Sequence, residues 1–333
     1  MNSTRTINLK QRPHGKPSLE DFEFTNSEIP RLKEGEVLLK SLYLSVDPYL
    51  RGRMSNAPSY IAPFEVGQPI ESGIVAEVLE SQTDELHPGD YVFGALAWKE
   101  NQVAPAHSLT KVDPKLAPLS AYLGVLGLTG LTAYLGMMEI GKPQKGETLL
   151  VSGAAGAVGS IVGQIGKVLG MRVVGIAGSD EKLALMQSNF GFDAGINYKT
   201  TENMREAIAK ACPTGVDVYF DNVGGEISEA VLFNINKFSR TINCGAISVY
   251  NNTEAPKSIS VQSFLVKKSS LMQGFVVFDY ADKHPTAIQQ LAAWMKEGKL
   301  TYTETIREGF DQVPQAFLDL FEGKNQGKMV VKL

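Results

Sequence analysis

The sequence holds few of the residues that build metal sites and disulfide frameworks. Its 333 residues include 2 cysteines, Cys212 and Cys244, and 4 histidines. Two cysteines cannot form a four-cysteine zinc site or the disulfide framework of a small secreted domain. The histidines lie far apart, and no pair has the spacing of a zinc motif on a helix. These absences favour a reduced, cytoplasmic protein without a metal, in which Cys244 is a small core residue and not a nucleophile.

Long apolar runs and concentrated positive charge are also absent. No apolar run approaches the roughly 18 residues that a membrane-spanning helix needs. The stretch from Met1 to Arg12 is polar and lacks the apolar core of a signal peptide. The 32 Lys and Arg residues are scattered and the net charge is -4, so no basic stripe forms. We therefore expect no membrane span and no nucleic-acid partner.

The patterning of the chain changes near residue 120. Before that point, short apolar runs at 36–44, 71–79 and 91–96 are separated by Pro and Gly turns, which predicts a compact β-rich domain. After it, strand-like and helix-like runs alternate, which predicts βαβ units and a doubly wound parallel sheet. The predicted strands of this second region are 147–152, 171–176, 194–197, 216–221 and 240–244, and its helices are 157–169, 179–189, 201–211, 226–233 and 285–297.

A glycine motif stands where the predicted strand 147–152 passes into a helix. Gly153, Gly156 and Gly159 recur at a three-residue spacing, and Ala154 occupies the first glycine's place in the plain dinucleotide fingerprint. Small residues here let the backbone approach a diphosphate, and the helix N-terminus supplies N–H donors and a positive dipole end. The strand before the motif and the helix after it therefore predict a dinucleotide site; the alternative is a packing turn without a ligand.

The end of the next strand indicates which dinucleotide binds. Residues 173–179 offer no carboxylate to the ribose 2'-hydroxyl of NAD. A carboxylate would repel a 2'-phosphate, so its absence permits NADP, and Lys182, one turn into the following helix, can supply a positive charge. Asp180 and Glu181 lie close by, where early helix positions favour acids through the helix dipole. The alternative for Lys182 is an ordinary solvated lysine.

Together these motifs show that the chain resembles a known group along nearly its whole length. It is similar to the zinc-independent medium-chain dehydrogenases/reductases, and among them to the prostaglandin reductase / leukotriene B4 dehydrogenase family with its bacterial NADP-dependent alkenone reductase relatives. The segments that carry the resemblance are 44–51, 154–159, 177–182, 220–225, 244–251 and 323–328. The resemblance implies an α/β protein: a GroES-like domain at 1–124, completed by 300–333, and a Rossmann domain at 125–299, with the active site in the cleft between them.

Two segments that carry zinc ligands in metal-dependent relatives have none here. They read Ser-Val-Asp-Pro at 45–48 and Val-Gly-Gln-Pro at 66–69. Simple alcohol oxidation, which zinc assists by polarising the C–O bond, is therefore disfavoured. An activated alkene fits better, because hydride adds to its β-carbon, charge moves to the carbonyl oxygen and a proton reaches the α-carbon. The protein then mainly orients the substrate and stabilises the oxyanion, so we expect NADPH-dependent reduction of enones and enals.

The resemblance also implies which residues bind NADP(H), motif by motif. They run from the diphosphate through the 2'-phosphate to the nicotinamide end. In that order they are Gly156, Ala157, Val158, Gly159, Lys182, Tyr198, Asn222, Cys244, Gly245, Ala246, Ile247, Ser248, Tyr250, Phe275, Val276, Val277 and, from the tail, Asn325. For Asn222, the alternative is an ordinary turn residue.

Two tyrosines are the candidate catalytic residues. The phenol of Tyr250 can donate a hydrogen bond or a proton to the substrate. The alternative is that Tyr250 packs against the cofactor, while a ribose hydroxyl or a water donates the proton. The resemblance places Tyr49, with Arg51 and Arg53, in the segment of the first domain that faces the cleft in the family. The two arginines either attract an acidic substrate tail or are structural.

Other functions of the same fold stay open. A quinone reductase would use the same cofactor loop without zinc, and a non-enzymatic protein would bind NADPH without turnover. Relatives pair the edge strands of their Rossmann sheets, so a homodimer is expected.

Overall fold

The computed structural model describes residues 3–333, which form two compact units. The first takes the chain up to Gly124 together with Glu304–Asn325 and Met329–Leu333. The second comprises Val125–Thr303 and Gln326–Lys328. The domain bounds 1–124 with 300–333 and 125–299 stay a prediction. In the structure, residues 300–303 and 326–328 belong to the second unit, while most of the tail belongs to the first.

The first unit is built from antiparallel strands and two helices. The strands are β1 (Ser3–Leu9), β2 (Phe22–Glu28), β3 (Glu36–Ser45), β4 (Glu71–Ser81), β5 (Tyr91–Ala97), β6 (Asn101–Pro105), β7 (Thr110–Val112), β14 (Glu304–Glu308) and β15 (Lys328–Lys332), and the helices are α1 (Leu50–Arg53) and α9 (Val313–Phe321). β1 and β2 form a hairpin. The others form a seven-stranded sheet in the order β14-β15-β3-β4-β5-β7, with β6 on β3.

Alternating burial explains the strands of this unit. In β3, Val37, Leu39 and Ser41 are buried while Lys40 is exposed, so one face of the strand packs into the core. The closing strand β15 pairs antiparallel with β3, with Val330 opposite Ser45. The last residues of the chain are therefore an integral part of the sheet that the first hundred residues build.

The second unit is a parallel sheet wrapped by helices. Its strands are β8 (Thr148–Ser152), β9 (Arg172–Ala177), β10 (Ala194–Asn197), β11 (Val216–Asp221), β12 (Ile235–Asn243) and β13 (Leu271–Gly274), and its helices are α2 (Leu128–Leu135), α3 (Gly159–Val168), α4 (Asp180–Phe190), α5 (Met204–Ala211), α6 (Gly225–Leu232), α7 (Gln262–Lys268) and α8 (His284–Lys296). The strand order is β10-β9-β8-β11-β12-β13. This order confirms the predicted doubly wound Rossmann sheet, and its central strand β8 is buried throughout.

Several predicted boundaries differ from the observed ones for local reasons. Helix α5 begins at Met204 and not at residue 201, because the Asn203 side chain caps it and accepts the Glu206 N–H at 3.3 Å. Helix α3 begins at Gly159, because residues 153–158 form the turn before it. Strand β12 ends at Asn243, so Cys244 lies just past a strand and is half-buried.

Across residues 3–333, none of the helices combines the length and the apolarity that crossing a membrane requires.

Candidate active site

The predicted cofactor residues of the second unit follow the ends of its strands. All six strands run parallel, so their carboxyl ends meet at one edge of the sheet. In open α/β sheets this edge is where ligands bind. The groups along it are 153–159 after β8, 177–182 after β9, Tyr198 after β10, Asn222 after β11, 244–250 after β12 and 275–277 after β13. The fold therefore brings segments far apart in sequence to one edge.

The turn between β8 and α3 is tight because its glycines touch one another. Gly153 has a φ of 59°, and the Gly156 N–H donates to its carbonyl at 3.0 Å. A Cβ on Gly159 would lie 2.4 Å from the Gly153 carbonyl oxygen and 2.8 Å from the Cα of Ala154. No real Cβ has such a contact, so this position requires glycine. The helix can therefore begin directly against the strand end.

The same turn leaves amide donors at the start of α3. The Ser160 N–H donates to the Gly156 carbonyl at 3.0 Å, which is the first bond of the helical ladder. The N–H groups of Val158 and Gly159 precede that bond, and the first N–H groups of a helix have no intrahelical acceptor. They form the type of donor cluster that binds the diphosphate of a dinucleotide.

Glycines also hold α3 close to the sheet. A Cβ on Gly166 would lie 2.6 Å from the Leu149 side chain, and one on Gly163 would overlap the ring of Phe192. Ala154 is fully buried against β9, where Gly175 makes room for its methyl group. The residue that departs from the plain fingerprint is therefore a packing residue.

Two lysines and a tyrosine meet at the end of β9. The ring of Tyr198 covers Gly178, whose Cβ would lie 2.9 Å from the ring. The Ser179 hydroxyl accepts the Lys182 N–H at 3.3 Å and caps α4. Lys182 is half-buried, and burial and then the charge of Lys199 lower its pKa. An anion between the two lysines would relieve this repulsion, so the group fits a 2'-phosphate.

The acidic residues beside these lysines, Asp180 and Glu181, accept hydrogen bonds from neighbouring groups. The Asn197 side-chain amide donates to the Asp180 carboxylate at 2.8 Å. Hydrogen bonds from its own backbone and from Ser179 lower the pKa of Glu181. Asn197 and Lys199 are not among the predicted site residues, although both lie in the same short segment as Tyr198.

Asn222 is fixed to the neighbouring strand. Its backbone N–H donates to the Ser152 hydroxyl at 2.9 Å, and its side-chain amide donates to the Ser152 carbonyl at 2.7 Å. These two bonds orient the side chain, leaving its carbonyl oxygen as the acceptor for a ligand.

The segment after β12 folds back on its tyrosine. The Tyr250 hydroxyl accepts the Ala246 N–H at 3.1 Å, and burial raises the pKa of Tyr250. Because its oxygen is the acceptor in this bond, the Tyr250 O–H can still donate a hydrogen bond to a ligand. Burial, and then Asp221, raise the pKa of Cys244 to about 12, so its thiol stays protonated at neutral pH. That is the behaviour of a packing residue.

The segment after β13 is apolar and packed. Val277 is buried, and the ring of Phe275 meets that of Tyr280 edge to face, with the centroids 6.4 Å apart. A Cβ on Gly136 would lie 3.0 Å from the Phe275 ring. Phe275 is therefore held in place by its own unit.

Tyr49 belongs to the first unit. It immediately precedes α1 and packs against the apolar core of that unit. Burial, and then the Asp47 carboxylate, raise the pKa of Tyr49. Its hydroxyl therefore stays protonated at neutral pH and can only serve as a hydrogen-bonding group.

Arg51 and Arg53 make contacts within their own unit. Arg51 is buried and donates to the Gly15 carbonyl at 2.9 Å. Arg53 donates to the Ala62 carbonyl at 3.0 Å, and its guanidinium lies 3.9 Å from the centroid of the Phe64 ring. These contacts favour the structural role for both arginines.

The tail passes the glycine turn just after Asn325. Gly327 belongs to the second unit, where its N–H donates to the Ala155 carbonyl at 2.7 Å. Asn325 itself belongs to the first unit, and its contact with the cofactor stays a prediction.

Segments 45–48 and 66–69 make structural contacts within the first unit. The Ser45 hydroxyl donates to the Asp47 carboxylate, and the Gln68 carbonyl accepts the Leu9 N–H at 3.0 Å. Within the part of the chain that the structure describes, no three His, Cys, Asp or Glu side chains form a group that could hold a metal ion.

Comparison with known proteins gives matches over the whole chain. Residues 5–112 match the family model of the N-terminal domain of oxidoreductases, and residues 157–297 match the model described as zinc-binding dehydrogenase. The putative NADP-dependent oxidoreductase YfmJ of Bacillus subtilis (strain 168) is 53% identical, over 99% of this chain and 98% of the relative. The NADP(+)-dependent 2-alkenal reductase of Nicotiana tabacum is 42% identical, over 99% and 97%.

A solved structure agrees with the sequence relatives. CurA from Vibrio vulnificus in complex with NADPH superposes with a TM-score of 0.93 at 40% identity, over 98% of each chain. The family model that mentions zinc matches only within the nucleotide-binding unit, whereas residues 45–48 and 66–69 lie outside it. From its sequence and its fold, the chain belongs to the zinc-independent medium-chain dehydrogenases/reductases, in the family of the prostaglandin and alkenal reductases.

Proposed function

We propose that the protein reduces the C=C bond of α,β-unsaturated ketones and aldehydes with NADPH. The observation that carries the cofactor is the pair of lysines, Lys182 and Lys199, beside a strand end without an acid. The substrate class is supported by the 2-alkenal reductase relative, and the cofactor also by the NADPH complex of CurA. Segments 45–48 and 66–69 contain neither Cys nor His, which agrees with a substrate whose own carbonyl group activates the alkene.

The residues of the carboxyl edge would divide the work of holding NADPH. The helix N-terminus at 156–159 would bind the diphosphate, and Asn222 with segments 244–250 and 275–277 would orient the nicotinamide. When bound, NADPH supplies the hydride that adds to the β-carbon. The protein then has to place the alkene, stabilise charge on the carbonyl oxygen and allow a proton to reach the α-carbon.

Tyr250 fits a positioning and hydrogen-bonding role better than that of a proton donor. Its pKa is raised, so the phenol is a weaker acid than an ordinary tyrosine. Its hydroxyl keeps the segment closed through the Ala246 N–H. Tyr49 has a raised pKa for the same physical reason and is the second candidate hydrogen-bond donor to the substrate.

The Tyr250→Phe variant is expected to retain activity with a raised KM for NADPH, about fivefold, since one buried hydrogen bond contributes about 1 kcal/mol. The pH profile of kcat should keep its shape between pH 6 and about 9, because the wild-type phenol does not ionise there. Steady-state kinetics check both points. A fall of kcat by a factor of about 1000, with the KM for NADPH unchanged, would instead make Tyr250 the proton donor.

The function is tested by NADPH oxidation with a panel of enones, enals and quinones, and the products are identified by mass. We expect turnover of enones and enals to the saturated carbonyl compounds. A quinone reductase of the same superfamily is the alternative function, and turnover confined to quinones would establish it. Tight NADPH binding without turnover of either class would overturn the enzyme proposal.

We also propose a homodimer formed through the edge of the parallel sheet. β13 pairs only with β12 in the described sheet order, and its residue Leu271 is 46% exposed. An open strand edge with exposed apolar side chains is a pairing surface. Light scattering should give twice the chain mass of 36.1 kDa, and a Leu271→Lys variant should shift the protein toward monomer. A monomeric wild type would contradict the proposal.

A cytoplasmic location completes the proposal. Both cysteines are free, in keeping with a reduced environment. Fractionation of cells should recover the protein with the cytoplasmic fraction, and recovery from membranes would contradict it.

A further inference from the structure

A buried carboxylate lies at the centre of the carboxyl edge and has no part in the function described so far. Asp221 ends the central strand β11 and is 3% exposed. One of its oxygens accepts four hydrogen bonds, all between 2.9 and 3.0 Å. The donors are the hydroxyls of Ser152 and Tyr219 and the backbone N–H groups of Val223 and Gly224. Such a donor set compensates a buried negative charge.

The backbone of the same residue holds the next strand end. The Asp221 carbonyl accepts the N–H of Cys244 at 2.9 Å and that of Gly245 at 3.1 Å. Ser152, which donates to the Asp221 carboxylate, also accepts the Asn222 N–H. Asp221 thus ties together the ends of three adjacent strands, β8, β11 and β12.

The turn after Asp221 extends this connection into the segment of Tyr250. The Val223 carbonyl accepts the Ser248 N–H at 3.1 Å and the Ser248 hydroxyl at 2.6 Å. Gly224, whose N–H donates to Asp221, has a φ of 69°. Residues 223 and 224, whose N–H groups bind the Asp221 carboxylate, therefore connect it to segment 244–250. Asn222 is connected to the same carboxylate through the Ser152 hydroxyl.

We propose that Asp221 is a positioning residue that sets the geometry of the nicotinamide half of the site, and that the hydroxyls of Ser152 and Tyr219 serve it. The proposal rests on the proposed function only in assigning the nicotinamide to Asn222 and segment 244–250. The 2'-phosphate group at Lys182 and Tyr198 lies after β9 and β10, outside the Asp221 hydrogen bonds. Loss of the carboxylate should therefore affect one half of the cofactor and leave the other half unchanged.

The chemistry of the four donors explains why a carboxylate stands here. Burial, and then Asp221 itself, raise the pKa of Tyr219, so its hydroxyl remains a donor. An asparagine keeps one acceptor oxygen, but it loses the charge that strengthens all four bonds and adds a competing N–H₂ donor. Asp221→Asn is therefore a nearly isosteric variant that loosens the network without removing it.

The experiment compares the affinities of NADPH and of adenosine 2',5'-bisphosphate, a fragment without the nicotinamide. For Asp221→Asn we expect NADPH to bind about tenfold more weakly, while the affinity for the fragment changes less than about twofold, a difference of about one decade in the ratio. Tyr219→Phe removes one donor and keeps the other three, so it should change the ratio in the same direction by less. It also serves as the test if Asp221→Asn does not fold.

The matched control is Asp217→Asn on the same strand. Asp217 lies near the amino end of β11, where it accepts the Thr148 N–H and the Asn236 side-chain amide, each at 2.8 Å. It should leave the ratio of the two affinities unchanged. Equal losses of NADPH and fragment affinity in Asp221→Asn, or a ratio equal to that of Asp217→Asn, would reduce Asp221 to a structural residue and overturn the proposal.

A kinetic readout separates this inference from the proposed function. With an enone and saturating NADPH deuterated at the nicotinamide C4, the isotope effect on the rate should be larger in Asp221→Asn than in the wild type, because a misplaced ring slows hydride transfer. The isotope effect can rise only if hydride transfer does not already limit the wild-type rate. An isotope effect that is small in the wild type and equally small in Asp221→Asn would contradict the positioning role. The ratio of the two affinities is measured without an enone. It therefore tests the role of Asp221 whether or not the protein reduces enones.

Discussion

Replacement of Lys182 by alanine is expected to raise the KM for NADPH about 30-fold, since a charge-assisted bond to a phosphate is worth about 2 kcal/mol. The KM for NADH should change less than about twofold, because NADH has no 2'-phosphate. Steady-state kinetics with both cofactors measure this difference. The affinity for NADPH should also decrease as the pH rises, and the decrease should begin at a lower pH than for an ordinary lysine. The reason is that burial, and then the charge of Lys199, lower the pKa of Lys182, so the lysine loses its charge earlier.

Lys199→Ala should also raise the KM for NADPH more than the KM for NADH, but by a smaller factor than Lys182→Ala. Lys210→Ala is the matched control. Lys210 is an exposed lysine in the last turn of α5, and it belongs to none of the segments that follow the carboxyl ends of the strands. Its removal should leave both KM values unchanged. If Lys182→Ala weakened NADPH and NADH equally, or neither, the 2'-phosphate would not bind at this pair of lysines.

A Gly159→Ala variant is expected to bind NADPH at least about 100-fold more weakly, a loss of about 2.7 kcal/mol. The added methyl group would lie 2.4 Å from the Gly153 carbonyl oxygen, and backbone atoms cannot rotate away as a side chain can. Helix α3 would have to move off the strand end, which takes its N–H donors away from the diphosphate. Overpacking of this kind also costs about 1–3 kcal/mol of stability. Calorimetric titration and thermal unfolding measure the two effects.

The control for this variant is Gly52→Ala in α1, where an added Cβ meets no atom within 4 Å. It should leave NADPH binding unchanged and the melting temperature the same or slightly higher, because alanine favours a helix. Wild-type affinity in Gly159→Ala would show that the turn after β8 does not hold the diphosphate.

Much of the second unit could be predicted because its signals are local. The strand β11 has the predicted bounds, and Ser179 caps α4 as its position before a run of acids suggests. The cofactor segments follow strand ends directly, so a correct strand assignment also places them at one edge of the sheet. The glycine turn at 153–159 could be predicted from consecutive residues alone, without the contacts made by distant parts of the chain.

Other elements could not be predicted because tertiary contacts define them. β13 spans only Leu271–Gly274, too short for a periodic pattern, and it exists as a strand through its pairing with β12. Strand β1 lies in the polar stretch at the start of the sequence, and its partner β2 follows only after the connection 10–21, so the hairpin is not a local signal. For both elements the partner strand, which the sequence does not identify, defines the structure.

The same limit applies to the site. Lys182 and Lys199 are brought near each other by the pairing of β9 with β10, where Ala177 lies opposite Asn197. The bond from Ser152 to Asp221 depends on the register of β8 and β11, in which Val151 lies opposite Phe220. The sequence contains these residues without showing which strand lies beside which, so their partnership becomes visible only in the folded sheet.

The most direct test of the proposed reaction follows the hydride itself. Turnover of an enone with NADPH deuterated at the nicotinamide C4, followed by NMR of the product, locates the transferred deuterium. The account predicts deuterium on the β-carbon of a saturated ketone, with the proton on the α-carbon coming from solvent. Deuterium on the carbonyl carbon of an allylic alcohol would contradict it, because the protein would then be a carbonyl reductase.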